Sequence, residues 1–373
     1  MADNSKIEWT DASWNPIRAR NVKTGMVGWF CTHASEGCRN CYAETINHRL
    51  GTGVDYLPQA LKAGEVEVFL DEAMLTQPLR WKRGRRIFVG SMTDLFADFV
   101  TDSMLDRVFA VMATAPQHTF QLLTKRPARM RDYIEGQARR PRFLRLNPHE
   151  LAWSPYEGGV PRNIWLGVSV EDQANADARI PDLLATPAAV RFLSAEPLLG
   201  PIDLTKLAFP SSWERCDCPD QKPTLNALDA SVYCEGCCEG AERLTCGALD
   251  QVIVGGESGP KARPMHPDWA RQIRDHCADQ EVAFFFKQWG EWREVLHDLG
   301  ETIQVDADSD DAMAVLDGVK KPSWITQGGV VYTSLAALPD DDTPCRLVER
   351  LGKRAAGRLL DGVEHSARPD VDR

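Results

Sequence analysis

Apolar and polar positions along the chain form a repeating pattern of short apolar runs, each ending in polar residues and most followed by a helix-like segment. The runs lie at residues 26–30, 85–94, 118–127, 162–172, 189–200, 250–260 and 282–292. Near-continuous apolar strands that alternate with helical segments are typical of parallel βα units with both sheet faces covered. Seven such units predict an α/β fold, a complete or partial parallel βα (TIM-like) barrel.

Ionisable and polar residues stand at or just beyond the ends of six of these runs. They are Asp94, Lys125, Ser169, Glu171, Glu196, Glu257 and Lys287. Strand ends are polar in many folds, but the carboxyl ends of barrel strands converge on one rim, where these folds build their active sites. We therefore expect these side chains to share one site.

Three cysteines, Cys31, Cys38 and Cys41, follow the run at residues 26–30, which we predict to be the first barrel strand. A structural zinc site normally has four ligands. Three thiolates instead can hold a four-iron cluster whose remaining iron stays open to a cofactor or substrate. His33 or His48 could complete a zinc shell, so the residues alone leave both metals open.

The spacing C-x6-C-x2-C is accompanied by "CRNCYAE", "LLTKRP", "GVSVE", "LSAEPLLGPI", "VIVGGESGPKARPMHPDW", "FFFKQWGEW" and "GKRAAGRLLDG". Together these segments resemble a radical S-adenosylmethionine (SAM) family carried by phages and prophages, whose reaction is unknown. The commonest motif of that superfamily spaces its cysteines three and then two residues apart, so this loop is a longer form. The resemblance implies a 4Fe-4S cluster on the three cysteines, SAM as cofactor, an electron donor as partner, and radical chemistry on an unidentified substrate.

The resemblance also implies roles for the residues at the strand ends. SAM would be bound at the second strand, where "VGSMTD" lacks the usual double glycine, and at the fourth strand, through Ser91, Thr93, Asp94, Ser169 and Glu171. The substrate would be faced by the candidate catalytic residues Lys125, Glu196, Glu257 and Lys287. The glycines of "VIVGGESG" would allow either a close backbone approach to a ligand or a tight turn.

A second group of cysteines lies between two of the predicted strands, at residues 207–249. The expected metal ligands are Cys216, Cys218, Cys234 and Cys237, with Cys238 and Cys246 as alternates. Two close pairs separated by about fifteen residues resemble a zinc ribbon, whose metal folds a loop that lacks its own core. Zinc is the first expectation, and an auxiliary iron-sulfur cluster is the alternative.

The pattern divides the chain into a barrel core, residues 1–206 and 250–292, the cysteine-rich insertion, and a C-terminal extension at residues 293–373. The extension contains a β-rich piece, "SWITQGGVVYTS", and "RLVERLGKRAAGRLL", which we predict to be a closing helix. The final residues, "ARPDVDR", are expected to be a frayed tail.

The 373 residues carry a formal net charge of −11, which argues against broad affinity for nucleic acid. Two basic stretches, residues 80–86 and 125–145, stand against this background, either as solvated faces or as phosphate-binding patches. They make a nucleotide or nucleic-acid base a candidate substrate. They also support an alternative function, a zinc-containing nucleic-acid-binding accessory protein without radical chemistry. A metal-dependent hydrolase ranks last, since no convincing histidine constellation accompanies the carboxylates.

The remaining sequence features concern location. The N-terminus has no apolar signal region, and no run of about 18 apolar residues occurs. Eleven cysteines without an export signal are typical of metal ligands in a reducing compartment. We therefore expect a cytoplasmic protein with no membrane partner.

Overall fold

The fold is known from a computed structural model, which describes residues 5–139, 160–210, 223–233, 242–243, 246–295, 316, 319–338 and 344–370. Seven parallel strands form a curled half-barrel in which every strand pairs with the next one along the chain. They are β1 Ala12–Trp14, β2 Arg86–Val89, β3 Thr119–Thr124, β4 Ile164–Val170, β5 Arg191–Ala195, β6 Gln251–Gly255 and β7 Ala283–Gln288. The predicted parallel βα sheet is thus confirmed as a partial barrel.

Both faces of the sheet are buried, which explains why its strands are almost continuously apolar. All seven residues of β4 are buried. Alternate residues of the strands point to opposite faces. One face packs against the helices, and the other carries an aromatic cluster formed by Trp9, Phe88, Trp165, Phe192 and Phe285 together with Val190 and Ile253. The concave side of the half-barrel therefore has an aromatic floor below its polar rim.

Eight helices lie in the described residues. They are α1 Tyr42–Leu50, α2 Pro58–Lys62, α3 Glu72–Leu75, α4 Asp102–Ala113, α5 Pro127–Arg139, α6 Gln173–Ala185, α7 Pro267–Asp279 and α8 Lys353–Ala356. Helices α4 to α7 are the crossovers that parallel strands require. Side chains cap three of them, because Thr101, Asp172 and His266 accept hydrogen bonds from the first turns of α4, α6 and α7. None of the described helices is long and apolar enough to cross a membrane.

The predicted first strand, residues 26–30, was wrong. Val27–Gly28 instead belongs to an antiparallel sheet with Ile17–Asn21 and Val66–Leu70, which is inserted between β1 and β2. The true first strand, β1, has three residues and is too short to stand out as an apolar run. The three cysteines consequently follow this antiparallel layer rather than a barrel strand.

The insertion between β5 and β6 contains a small antiparallel sheet of Leu207–Ala208, Thr224–Leu225, Ser231–Tyr233 and Glu242–Arg243. Five of its cysteines lie outside the described residues: Cys216, Cys218, Cys234, Cys237 and Cys238. Cys246 is described and is a free, partly buried thiol. A metal in this insertion stays a prediction.

The C-terminal residues form an antiparallel sheet of Trp292–Glu294, Ser323–Thr326, Val331–Tyr332 and Cys345–Arg350, followed by a hairpin of Leu359–Leu360 and Val363–Glu364. The predicted closing helix was wrong, since "RLVERLGKRAAGRLL" begins within strand Cys345–Arg350, ends in strand Leu359–Leu360, and is helical only in the four residues of α8. Gly352 and Gly357, both with positive φ, flank α8 and stop it after one turn.

Of the predicted frayed tail, residues 367–373, Ala367 is instead held by the sheet together with the two residues before it, and residues 371–373 lie outside the described residues. Phe286 donates its backbone N–H to His365 O at 2.9 Å, and Ala367 donates to Phe284 O at 3.2 Å. Ser366 forms an antiparallel bridge with Phe285. The tail therefore covers the outer edge of β7, which the open half-barrel would otherwise leave unpaired.

Candidate functional site

The strand-end residues predicted from the sequence do meet at one rim, because all seven strands run the same way. The segment that carries the three cysteines, residues 31–41 (the cysteine loop), lies across this rim. Hydrogen bonds join it to groups that follow β3, β4 and β6. Each of these contacts involves a charged group, while Cys31 and Cys41 also pack against an apolar cluster that includes Phe30 and Tyr56.

The first contact is made after β3. Arg126 donates to Thr32 through its backbone oxygen at 2.9 Å and its hydroxyl at 2.7 Å. The same guanidinium forms an ion pair with Asp94 at 2.9 Å. Asp94 also accepts bonds from the Thr124 hydroxyl at 2.8 Å and the Lys125 backbone N–H at 3.0 Å. Asp94 therefore orients Arg126 toward the loop.

The second contact is made by Glu171, which is fully buried after β4. Its carboxylate pairs with Lys125 and, at 3.1 Å, with Arg179 of α6. It also accepts a bond from the Ser35 hydroxyl at 3.0 Å. Gly37 lies so close that a Cβ there would be 2.4 Å from the Glu171 side chain. The cysteine loop thus rests directly on a buried ion-pair network.

The third contact is made by Glu257, after β6. Arg263 donates to this carboxylate through both Nε, at 3.0 Å, and Nη2, at 2.7 Å, and Asn40 donates to it at 3.0 Å. Arg263 also donates to Glu36 O at 3.1 Å. Burial raises the pKa of Glu257, but the bonds from Arg263 and Asn40 outweigh it and hold that pKa below its usual value. Glu257 is therefore ionised. It is bonded directly to Asn40 and, through Arg263, to Glu36, so it holds the loop before and after Cys38.

Glu196 and Lys287, after β5 and β7, form an ion pair with each other. Among the described residues neither side chain hydrogen-bonds to the cysteine loop. The backbone oxygen of Glu196 accepts a bond from the Ser169 hydroxyl at 3.2 Å. Of the described rim ion pairs built from the predicted residues, this one makes no hydrogen bond to the cysteine loop.

The residues after β1 and β2 meet the start of α1. Tyr42 donates its hydroxyl hydrogen to Ser91 O at 2.7 Å, and Asn15 donates to the Ser91 hydroxyl at 3.0 Å. The Thr93 hydroxyl is buried and has no hydrogen-bond partner within the described residues. Its oxygen has essentially no exposed surface, so a ligand could reach it only after a local rearrangement.

The three cysteines are partly buried and free. Burial, followed by the charge of Asp94, raises the pKa of the Cys31 thiol to about 12, and burial raises that of Cys41. A thiol of this kind is not a nucleophile near neutral pH and becomes a thiolate only when a metal supplies positive charge.

The spacing of the sulfur atoms bears on which metal could be held. Among the described residues, three ligand-type side chains have ligand atoms within 4.8 Å of one another only at Glu44, His48 and Asp55, so the three sulfurs are spread more widely. Thiolates on one tetrahedral zinc ion lie about 3.8 Å apart, given Zn–S bonds of about 2.3 Å. At least one pair of the three sulfurs is farther apart than this, so the loop would have to adjust to place all three on one zinc ion.

The two histidines considered as a fourth zinc ligand are engaged elsewhere. His33 lies 2.9 Å from a Glu44 oxygen, and His48 lies 3.0 Å from an Asp55 oxygen. Both pairs are on the side of α1 and its following loop, and neither includes a cysteine sulfur.

Within the described residues the two basic stretches do not form one phosphate-binding face; residues 140–145 of the second stretch lie outside them. Residues 80–86 lie at the amino end of β2, a strand about 13 Å long, and so lie away from the rim. In the other stretch, Lys125 and Arg126 pair with carboxylates of the rim, and Arg131 pairs with Asp182 at 2.6 Å. These described side chains are therefore neutralised within the molecule.

The double glycine of "VIVGGESG" has a packing explanation. A Cβ on Gly256 would lie 2.0 Å from Trp289 O, and one on Gly290 would lie 2.1 Å from Glu257 O. The chain segments after β6 and β7 therefore cross at backbone distance, which side chains would prevent. The glycines are therefore explained by the close packing of two parts of the chain, and a ligand is not needed to explain them.

Several residues that build the site were not predicted: Asn15, Thr32, Ser35, Gly37, Asn40, Arg179 and Arg263. The loop residues among them adjoin the cysteines, and their polar character was a usable signal. Arg179 and Arg263 gave no sequence signal, because arginine is common in helices and loops and only its buried partner shows its role.

These features define a class of protein: a parallel βα half-barrel with a three-cysteine loop held across the carboxyl ends of its strands. Residues 4–369 match the family described as "Protein of unknown function (DUF5131)", and the chain belongs to that family. No curated protein matches the chain. No solved structure matches it either.

Proposed function

We propose that the protein is a radical SAM-type enzyme in which Cys31, Cys38 and Cys41 hold a 4Fe-4S cluster. The observation that carries the proposal is the position of the cysteine loop over the rim of a parallel half-barrel. Active sites of βα barrels lie at this end of the strands. The choice of three closely spaced thiols in one loop supports a cluster with one open iron.

When bound, the cluster and SAM would supply reductive cleavage of a carbon–sulfur bond and a carbon radical. The protein's own part is to hold the loop and shape the space beside it. Asp94, Glu171 and Glu257 act as positioning residues, because their carboxylates are saturated by bonds that hold the loop or its supports. Ser91 and Thr93 follow β2 at the same end of the sheet and are the residues of that strand that would lie nearest SAM.

Glu196 and Lys287 face the substrate in this proposal. Lys287 donates hydrogen bonds and Glu196 accepts them, so the pair matches a molecule with a carbonyl oxygen next to an N–H group. A nucleotide or nucleic-acid base has such an edge. This substrate class rests on the pair alone, since the described basic residues near the rim are already neutralised.

The test is the content of iron, sulfide and zinc in protein purified without oxygen, compared with a Cys31/Cys38/Cys41 triple alanine variant. We expect about four irons and four sulfides per chain, lost in the variant while its folding is retained. Cys345→Ala is the matched control and keeps the iron. Reduction with dithionite in the presence of SAM, in place of the natural electron donor, is then expected to release 5′-deoxyadenosine.

The alternative, a zinc-containing nucleic-acid-binding protein, predicts a different result. Zinc alone in the native protein, falling in the triple variant, would contradict the radical proposal. Nucleic-acid binding that weakens steeply with salt would then be the next measurement. The pairing of Arg126 and Arg131 with carboxylates makes this the weaker candidate.

A further inference from the structure

A cluster of metal-ligating side chains lies beside the cysteine loop and plays no part in the function proposed above. Glu44 and His48 are four residues apart in α1 and so share one face of the helix. Asp55 comes from the loop that follows. The ligand atoms of the three side chains all lie within 4.8 Å of one another.

This cluster is held in place by the surrounding backbone. Asn47, which is fully buried on the same helix, donates to the Thr52 hydroxyl at 2.7 Å and to Val54 O at 3.2 Å. Tyr56 donates its backbone N–H to Glu44 at 2.6 Å. Asp55 lies between Val54 and Tyr56, whose backbones are both held by hydrogen bonds, so the loop fixes the position of its carboxylate beside His48.

The charge of the cluster favours a cation. Two carboxylates and one imidazole carry about two negative charges at pH 7 when the histidine is neutral. The Glu44 side chain is 15% exposed, that of His48 43% and that of Asp55 64%, so an ion can reach them from solvent. His33, 2.9 Å from Glu44, is placed as an outer partner that orients this carboxylate.

We propose that Glu44, His48 and Asp55 bind a divalent transition-metal ion, separate from the metal on the cysteines. One imidazole and two carboxylates suit Mn²⁺, Fe²⁺ or Zn²⁺. A bound ion would tie the 51–56 loop to α1, the helix that begins directly after Cys41. The site would thus stabilise the helix that supports the cysteine loop.

Mn²⁺ is the probe of choice, because thiolates prefer softer metals and the cysteines will not compete for it. Titration followed by electron paramagnetic resonance of free Mn²⁺ is expected to show one saturable site, in both the native protein and the Cys31/Cys38/Cys41 triple alanine variant. His48→Ala and Asp55→Asn are each expected to weaken binding by at least about tenfold, the lower end of the effect of removing even an outer partner. Mn²⁺ should also raise the unfolding temperature of the native protein but not of these variants.

His276→Ala is the matched control, since His276 faces Asp203 at 3.7 Å in another histidine–aspartate pair, which is partly buried. It is expected to bind Mn²⁺ like the native protein. The absence of saturable binding to the native protein, or an affinity that His48→Ala and Asp55→Asn leave unchanged, would overturn the proposal. Because the triple cysteine variant is included, this result does not depend on whether the protein holds an iron-sulfur cluster.

Discussion

At the scale of single residues, the closest approach in the site is that of Gly37 to Glu171. Lys125 and Arg179 fix the Glu171 carboxylate from two sides, and its side chain has no solvent-exposed surface. A Cβ at position 37 would lie 2.4 Å from its Cγ and Oε1 atoms. Because the carboxylate cannot move without breaking a buried ion pair, the loop must move instead.

We expect Gly37→Ala to loosen the cysteine loop while leaving the half-barrel folded. Amide hydrogen exchange in residues 31–41 should become faster, because the bonds from Ser35 and Asn40 depend on the loop's position. Overpacking of this kind typically costs about 1–3 kcal/mol. Hydrogen-exchange mass spectrometry of the native and variant proteins measures the effect directly.

Gly136→Ala is the control for this substitution, since a Cβ at Gly136 in α5 meets nothing within 4 Å. Alanine is the better helix former by about 1 kcal/mol, so this variant should be as stable as the native protein or more so. Equal exchange rates in residues 31–41 for all three proteins would show that Glu171 does not support the loop.

The residues of the site differ in how far the sequence could predict them. Cys31 and its two partners were visible because cysteine spacing is a local pattern, and Glu171 was visible because it ends an apolar run. Asn40 was not, since its partner Glu257 lies 217 positions away in the chain. Roles were harder to predict than positions, because a strand-end carboxylate looks the same in sequence whether it binds a ligand or an arginine.

At the scale of elements, the C-terminal tail acts as the cover of β7. It forms two backbone bonds with this strand, and Gln251 of β6 donates to Ala367 O at 3.0 Å. The guanidinium groups of Arg358 and Arg368 lie over the Phe285 ring, 5.4 and 6.0 Å from its centroid. The tail thereby shields both the open edge and an aromatic residue of the floor.

A chain that ends at Glu364 is therefore expected to be less stable and to associate. Three lost hydrogen bonds, at about 1 kcal/mol each, lower the free energy of unfolding by about 3 kcal/mol. The exposed edge of β7 would then pair with another chain. Chemical denaturation measures the first effect, and light scattering after size-exclusion chromatography measures the second.

A chain that ends at Asp370 keeps all three bonds and serves as the control. If the shorter truncation were equally stable and monodisperse, the tail would have no role in covering β7. The sequence did not predict this role, because a polar segment at a terminus resembles a frayed end. Its pairing depends on a strand about 80 residues earlier.

The other errors at this scale have a common physical cause. β1 is only three residues long, so it shows no periodicity. Cys345–Arg350 has a composition that favours a helix, yet Leu347 and Val348 are buried at the centre of a strand paired on both sides. In both cases the tertiary partners determine the structure, and local preference is overridden.

At the scale of the whole molecule, the two ends of the half-barrel have different characters. The rim carries the cysteine loop and the buried ion pairs, whereas Arg86 at the opposite end is paired with Asp11. The described cations Lys125, Arg126 and Lys287 of the rim are all engaged by carboxylates. Stability should accordingly respond to pH through groups that are buried without a compensating charge.

His266 is the best example of such a group. It is 2% exposed, accepts a hydrogen bond from the Asp268 backbone N–H at 3.2 Å as the cap of α7, and packs against Trp269. Burial lowers its pKa from 6.5 to about 4, and the charges of Arg346 and Arg271 add to this, while Asp268 opposes it. The folded protein therefore keeps this imidazole neutral where the unfolded chain protonates it.

This difference predicts the direction in which stability changes. As pH falls below 6.5, the unfolded state takes up a proton that the folded state does not, so stability falls until about pH 4 and then levels off. At about 1.36 kcal/mol per pH unit, the loss between pH 7 and pH 5 is about 2 kcal/mol. His266→Asn keeps a capping acceptor but cannot titrate, so denaturation of this variant at the two pH values should show a correspondingly smaller loss. The control is His276→Asn, which replaces a partly exposed histidine of the same helix, and this variant should lose as much stability as the native protein. All other titrating groups are shared by the two variants. If the His266 and His276 variants lost equal stability between pH 7 and pH 5, the buried imidazole would be protonated in the folded state as it is in the unfolded chain.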